Sequence, residues 1–251
     1  MSVLRNIGLL ATCRPAGGQG DIHPIPNAAV AWDGETIRWV GPEAELPEEF
    51  AGGDTLDARG RLVVPGLVDC HTHLAFGGWR ADEFEMRLQG VGYLDIARAG
   101  GGIMSTVRAT RTATDTELLA RATAALEGMR RLGVTTVECK SGYGLDLDTE
   151  LRLLRVYQTL AATQPSRIVP TFLGAHVVPA EHRANRQAYL RLLLDEMIPA
   201  VAAAGLAVCC DVFVEDTAFS VDEARAIFRV GKAAGLAPKL HADQLSAGGG
   251  A

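Results

Sequence analysis

Several features are missing from these 251 residues, and each absence narrows the reading. Basic side chains are not in excess: 24 Lys and Arg stand against 30 Asp and Glu, a net charge of −6. Phosphate backbones are held by basic faces, so nucleic acid is not expected as a partner. There is no CxxC pair. The five cysteines, Cys13, Cys70, Cys139, Cys209 and Cys210, are odd in number and scattered. Three of the four places they occupy lie in apolar, strand-like runs, so reduced, buried thiols are expected rather than a disulfide framework. No run reaches the ~18 apolar residues of a membrane span. The opening MSVLRNIGLLATC carries a short apolar run without a cleavage-site context. A cytoplasmic protein that engages no membrane is therefore expected. A G-x-G-x-x-G loop directly after a strand is also lacking, which weakens a dinucleotide-binding reading.

What is present suits an ordinary globular chain, 48% hydrophobic and 22% charged. The length allows one large α/β domain or two smaller ones. Residues 1–60 read as short strands and turns, a small β subdomain. Residues 27–32 and 36–40 flank Asp33-Gly34, a dipeptide that favours a hairpin turn. From residue 61 the texture changes to apolar strand-like runs alternating with amphipathic helices. The strands fall at residues 62–69, 134–139, 168–173, 208–214 and 238–241. Thr114 with Glu117, and Ser220 with Glu223, have the spacing of capping boxes, and these helices stop at Gly133 and Gly235. Further helices are expected over residues 148–162 and 183–204, the second bent near its end by Pro199.

RRLGVTTVEC, AAAGLAVCCD and AAGLAPKLHAD repeat one pattern, a helix ending in Gly and then a strand. That pattern implies consecutive βα units on a parallel sheet. Five such strands are found, whereas a closed βα barrel needs eight. A doubly wound sheet could be complete with five, so the topology leaves both open. The sequence ends on HADQLSAGGGA, directly after a strand with no helix to cover it. Such a bare edge is unfavourable, and the expectation is an N-terminal portion of a longer protein.

The chemistry centres on VVPGLVDCHTH, residues 63–73. Strand side chains repeat their direction every two residues, so His71 and His73 point to one side. In βα barrels the active site gathers where strands end. Polar residues just after the strands are Asp69, His71 and His73; Glu138, Lys140, Ser141 and Tyr143; His176; Asp211 and Glu215; His241, Asp243 and Gln244. Four of the six histidines fall in this set. His71, His73 and His241 suit a zinc or iron ion, which neutral imidazoles bind. The competing reading, two core histidines side by side, would need an acceptor for each. For His176 a structural hydrogen bond and a substrate contact weigh equally. Asp69, Glu138, Lys140, Asp211 and Glu215 read as interior ion pairs and as partners that orient histidines. Asp82, Glu83 and Glu85 either brace Arg80 or form a solvated helix start.

VVPGLVDCHTH resembles the metal-binding start of the amidohydrolase superfamily. HTHLAFGGWRADEFEMRLQGVGYLDI, ECKSGYGLD, TFLGAHVVP and KLHADQLS together resemble its imidazolonepropionase branch, from about residue 60 to the end and in the same order. The resemblance implies a TIM-like (β/α) barrel, incomplete here at about five of eight βα units over residues 61–251. Residues 1–60 would form the N-terminal part of a composite β-sandwich. It also implies one Zn or Fe ion per subunit, a homodimer, and hydrolytic opening of the 4-imidazolone-5-propanoate ring to N-formimino-L-glutamate. Carried over by motif, His71, His73 and His241 match metal ligands. Arg80 matches the residue that grips the substrate carboxylate, and Tyr93, Tyr143 and His176 match pocket residues. Gln244 stands where many relatives carry Glu in HADE; Gln can hydrogen-bond substrate or bound water but cannot shuttle a proton. His176 and Gln244 are thus the catalytic candidates at hand. The family's further His and metal-binding Asp would lie beyond Ala251, so the chain alone is expected to be inactive. Rival readings are another amidohydrolase, of guanine deaminase or hydantoinase type, and a non-catalytic barrel scaffold. A carboxylate-bearing small molecule needs a cation such as Arg80, which a neutral purine does not.

Overall fold

The structure is a computed structural model that describes residues 1–92, 95, 96 and 100–250. The chain divides into two compact units, Met1–Gly66 and Leu67–Ala251.

The first unit is one mixed sheet of β1 (Ser2–Ala11), β2 (Pro24–Asp33), β3 (Thr36–Pro42), β4 (Asp54–Asp57) and β5 (Leu62–Val63). β1, β2 and β3 form an antiparallel meander, while β4 and β5 join β1 in parallel. The β2–β3 ladder closes at Asp33 and Thr36, so the turn residues are Gly34 and Glu35. That is one position later than Asp33-Gly34, and Gly34 takes the positive φ of 57° that the turn demands. Alternation along β2 covers both its faces. Ala29 and Ala31 meet Val3 and Phe50, whereas Ala28 meets Ile7 and Leu10.

The second unit is one parallel sheet whose strands lie side by side in chain order. Its strands are β6 (Leu67–Thr72), β7 (Val134–Lys140), β8 (Arg167–Ala175), β9 (Cys209–Val214) and β10 (Ala237–Ala242). Parallel neighbours need crossovers, and the helices supply them. Thr114 accepts from the amide of Glu117, whose side chain returns to Thr114, and so starts the helix Asp115–Arg131. Ser220 and Glu223 do the same for Val221–Ala233. Leu118, Ala122 and Leu126 from the first of these helices, Leu153, Leu154 and Tyr157 from Leu147–Thr163, and Ile227 from the last all join the buried core beneath the sheet. Among the described residues no helix is long and apolar enough to cross a membrane.

Three local expectations are corrected. Residues 62–69 are not one strand. Leu62–Val63 pairs with β1 in the first sheet, and Leu67–Thr72 belongs to the second. Pro65 lacks an amide hydrogen and Gly66 has no side chain to pack, so the apolar run breaks between them. The helix expected over 183–204 begins at Arg186, after a 3-10 turn at Ala180–Asn185, and carries a π turn at Leu192–Met197. Pro199 sits in the first turn of the next segment, Ile198–Ala203. It cannot donate to a carbonyl one turn back, and the wider turn before it absorbs the mismatch. Finally, all five cysteines are free, but Cys13 and Cys70 are exposed while Cys139, Cys209 and Cys210 are buried. Cys13 lies in the loop after β1 and Cys70 on an edge strand, where an apolar neighbourhood in sequence does not become an interior one. Burial pushes the Cys139 and Cys210 thiols up to about 12.

Candidate metal centre

The sheet curls so that its two edge strands face each other through side chains. Nε2 of His241 lies 3.0 Å from Nε2 of His71. Lys239 Nζ, two residues before His241, reaches the Cys70 carbonyl at 3.5 Å. His73, two residues after His71, completes a group with one ring nitrogen from each of the three histidines, all within 4.8 Å of one another.

The far side of two of these rings is engaged. Nδ1 of His73 lies 3.1 Å from the Ser141 carbonyl. A carbonyl only accepts, so Nδ1 carries the hydrogen and Nε2 is left as a lone pair. Nδ1 of His241 stands 3.1 Å from Asp211 Oδ2, an electrostatic contact whose geometry falls short of a hydrogen bond. Burial is the main cause that lowers the pKa of His71 and takes that of His73 well below the ordinary value; neighbouring histidines act in the same sense. Neutral imidazoles are the ligand form. Among the described residues the two facing Nε2 atoms have only each other as hydrogen-bond partners, an arrangement that suits a cation shared between them. These residues fit a zinc or ferrous ion.

A buried charge network underlies the cluster. Lys140 Nζ donates to Glu138 Oε1 and to Asp211 Oδ2, each at 2.7 Å, and all three side chains are at most 4% exposed. Lys239 adds a longer contact of 3.5 Å to Glu138. β7 places Glu138 and Lys140 on one face by alternation, and β9 brings Asp211 to the same side. Burial opposes the charge on Asp211, but the approach of His241 and Lys140 outweighs it and the carboxyl pKa is lowered. Asp69 stays local, accepting from the amide of His71 at 3.2 Å. Glu215 accepts from the amides of Gln244 and Leu245 and from the Ser246 hydroxyl, so it ties down the loop after β10.

Beside the cluster, His176 stacks on His73, with ring centres 5.3 Å apart and planes 17° off parallel. Tyr143 stands 4.9 Å from His73 and 5.3 Å from His176. Burial carries His176 down to about 4, although its bond to Gly142 works the other way. Burial raises Tyr143, and the positive charge of Arg80 opposes that rise, which places Arg80 within electrostatic reach of the phenol. Arg80 itself is 38% exposed and has Glu83 at 3.8 Å. Glu83 also accepts from the Gly102 amide. Among the described residues no ion pair joins Arg80 to Asp82 or Glu85. The Gln244 side chain is exposed, and it is the backbone amide that is anchored. Tyr93 lies outside the described residues.

Sequence reasoning missed Glu150 and Tyr157. Tyr157 donates to the Lys140 carbonyl at 2.7 Å and accepts from the Ala75 amide at 3.2 Å, so it ties the end of β7 to the segment after His73. Glu150 is completely buried and takes amides from the turn that follows β7. Both read as helix residues. The signal lay in ECKSGYGLDLDTE, a glycine-rich turn followed at once by a carboxylate in the first turn of a helix.

No family model matches the chain. It is 53% identical over 227 residues to an imidazolonepropionase from Myxococcus xanthus, covering 90% of this chain and 54% of that protein. Other curated homologues named imidazolonepropionase, at 47–50% identity, match 90–99% of the chain, which spans 56–59% of their length. Among solved structures, 5-methylcytosine deaminase from Klebsiella pneumoniae aligns with a TM-score of 0.62 at 17% identity over 96% of this chain and 51% of that one. An adenosine deaminase from Xanthomonas campestris with bound zinc aligns with a TM-score of 0.54 at 16% identity, over 97% and 49%. The second unit thus has the curled parallel sheet and covering helices of an incomplete TIM-like barrel, and the chain spans a little over half the length of the curated relatives it matches.

Proposed function

We propose that this chain carries the metal-binding part of a hydrolase that opens the ring of 4-imidazolone-5-propanoate to N-formimino-L-glutamate, a cytoplasmic step in histidine breakdown. The observation that carries the reading is the convergence of His71, His73 and His241 on one point, in a chain about half identical to imidazolonepropionases. Their ring nitrogens would hold zinc or iron, which supplies a water of lowered pKa for attack on a ring carbonyl. The chain's own residues do the rest. Water adds across a ring C–N bond, so the substrate must be held by its side chain while the ring faces the histidines. Arg80, whose one ion pair among the described residues is a 3.8 Å contact to Glu83, offers its guanidinium to the propionate carboxylate. Tyr143 and His176 flank His73 and would orient the ring nitrogens.

A guanine deaminase or hydantoinase-type activity is separated from this by Arg80, because a neutral heterocycle has no use for the cation. In a protein extended to the length of its relatives, Arg80→Ala is expected to raise KM for the imidazolone at least ~10-fold and to change kcat less, as loss of a ground-state contact does. An unchanged KM would refute the substrate. The 251-residue chain alone is expected to bind the ion without turnover, which steady-state assay of the isolated chain checks.

A further inference from the structure

Two successive carbonyls of one turn meet two histidines of the site. Ser141 O lies 3.1 Å from Nδ1 of His73, and Gly142 O lies 2.8 Å from Nδ1 of His176. Since a carbonyl can only accept, both rings must be protonated on Nδ1 and must present Nε2 as a lone pair. The turn over residues 141–145 therefore decides what two adjacent imidazoles can do.

That turn is shaped by one carboxylate. Oε1 of Glu150 accepts from the amides of Gly142 at 3.1 Å, Gly144 at 2.8 Å and Leu145 at 2.9 Å, and Oε2 accepts from Gly142 at 3.0 Å. The Ser141 hydroxyl accepts from the Leu173 amide at 3.0 Å, and its closeness to the Glu150 carboxyl favours the charged form of that group. On the opposite side Arg111 Nε donates to the Gly144 carbonyl at 2.7 Å. Gly142 has φ +102°, and a Cβ there would stand 3.0 Å from Nδ1 of His176 and 2.9 Å from Leu173 O. The backbone is thus pressed against the ring it bonds. An acidic residue in a first helical turn ordinarily serves the helix, but here that work is already done. Asp146 caps the helix through the Thr149 amide at 2.7 Å, and the partners of Glu150 all lie in the preceding turn.

We propose that Glu150 is a positioning residue that sets the tautomers of His73 and His176 by fixing the turn over residues 141–145. It does not touch either ring. It acts through the peptide planes whose carbonyls do. The consequence for metal binding rests on the reading of His73 as a ligand, whereas the consequence for tautomers does not.

The test uses the full chain labelled with 15N-histidine, without metal, at neutral pH. Two-bond proton–nitrogen correlation distinguishes Nδ1–H from Nε2–H, and His73→Gln and His176→Gln assign the signals. In the wild type both rings are expected as Nδ1–H; Nε2–H at either overturns the proposal. In Glu150→Ala both are expected to become tautomer mixtures and zinc Kd is expected to rise at least ~10-fold. His241, whose Nδ1 faces Asp211 rather than the turn, is expected to keep its signals. A folded Glu150→Ala with wild-type tautomers overturns the proposal. Should that variant not fold, Glu150→Gln decides. It keeps one acceptor oxygen, so His176 is expected to become mixed, and wild-type signals there overturn the proposal. A wild type that binds no zinc would sink the metal reading and leave the tautomers to judge this one.

Discussion

His73→Ala is expected to abolish tight zinc or ferrous-iron binding, with Kd rising more than ~100-fold, beyond what loss of an orienting partner costs. The reason is the scarcity of donors. Among the described residues the cluster has three ligand atoms, one from each of His71, His73 and His241. Removing one leaves two facing nitrogens, at 3.0 Å, that cannot enclose an ion. His71→Ala and His241→Ala are expected to behave alike. His182→Ala is the control, since His182 lies tilted against Tyr189 and takes no part in the cluster. Equilibrium dialysis with metal analysis reads the affinity. Thermal melting reads it independently, because an ion bound only by the folded chain stabilises it by about 2.7 kcal/mol at a free concentration 100 times Kd. Retention of one equivalent of metal by the triple alanine variant would sink the site.

The convergence of His71, His73 and His241 was legible because strand periodicity is local. His71 and His73 need only an alternation of two to share a side, and the strand carrying His241 announces itself by its helix-Gly-strand entry. Capping boxes at Thr114 and Ser220 were legible for the same reason, since donor and acceptor lie three residues apart. What escaped depends on distance in sequence or on surfaces. Leu62–Val63 and Leu67–Thr72 share one apolar run, and nothing in composition says that its two ends join different sheets. Cys70 sits among apolar residues yet lies exposed, because an edge strand has no neighbour on one side. Glu150 read as a solvated helix start, since its role requires the turn to fold back over it and the glycine-rich stretch before it was the one local sign of that. Asp211 was read among interior ion pairs and partners of histidine, and it stands in both roles beside Lys140 and His241, but nothing local told which lysine, 71 residues away, it would pair with.

Lys140→Met is expected to cost about 3–5 kcal/mol, a large part of the 5–15 kcal/mol that ordinarily holds a domain together. Glu138 and Asp211 both bond Lys140 Nζ at 2.7 Å, and neither carboxylate is more than 4% exposed. Removing the ammonium leaves two buried negative charges facing each other with no water to screen them. Solvent cannot relieve this, as it does for a surface pair, and the cost of the unpaired ions outweighs any gain from the apolar side chain. The triple variant Glu138→Gln, Lys140→Met, Asp211→Asn removes the charges together and is expected to regain most of the loss. Urea unfolding of the three singles and the triple, in a cycle, separates the cost of breaking the network from the value of having it. If Lys140→Met costs less than about 1 kcal/mol, then Lys239, 3.5 Å from Glu138, and His241, 3.1 Å from Asp211, carry the charge balance instead. His241 would then serve as counter-ion as well as ligand.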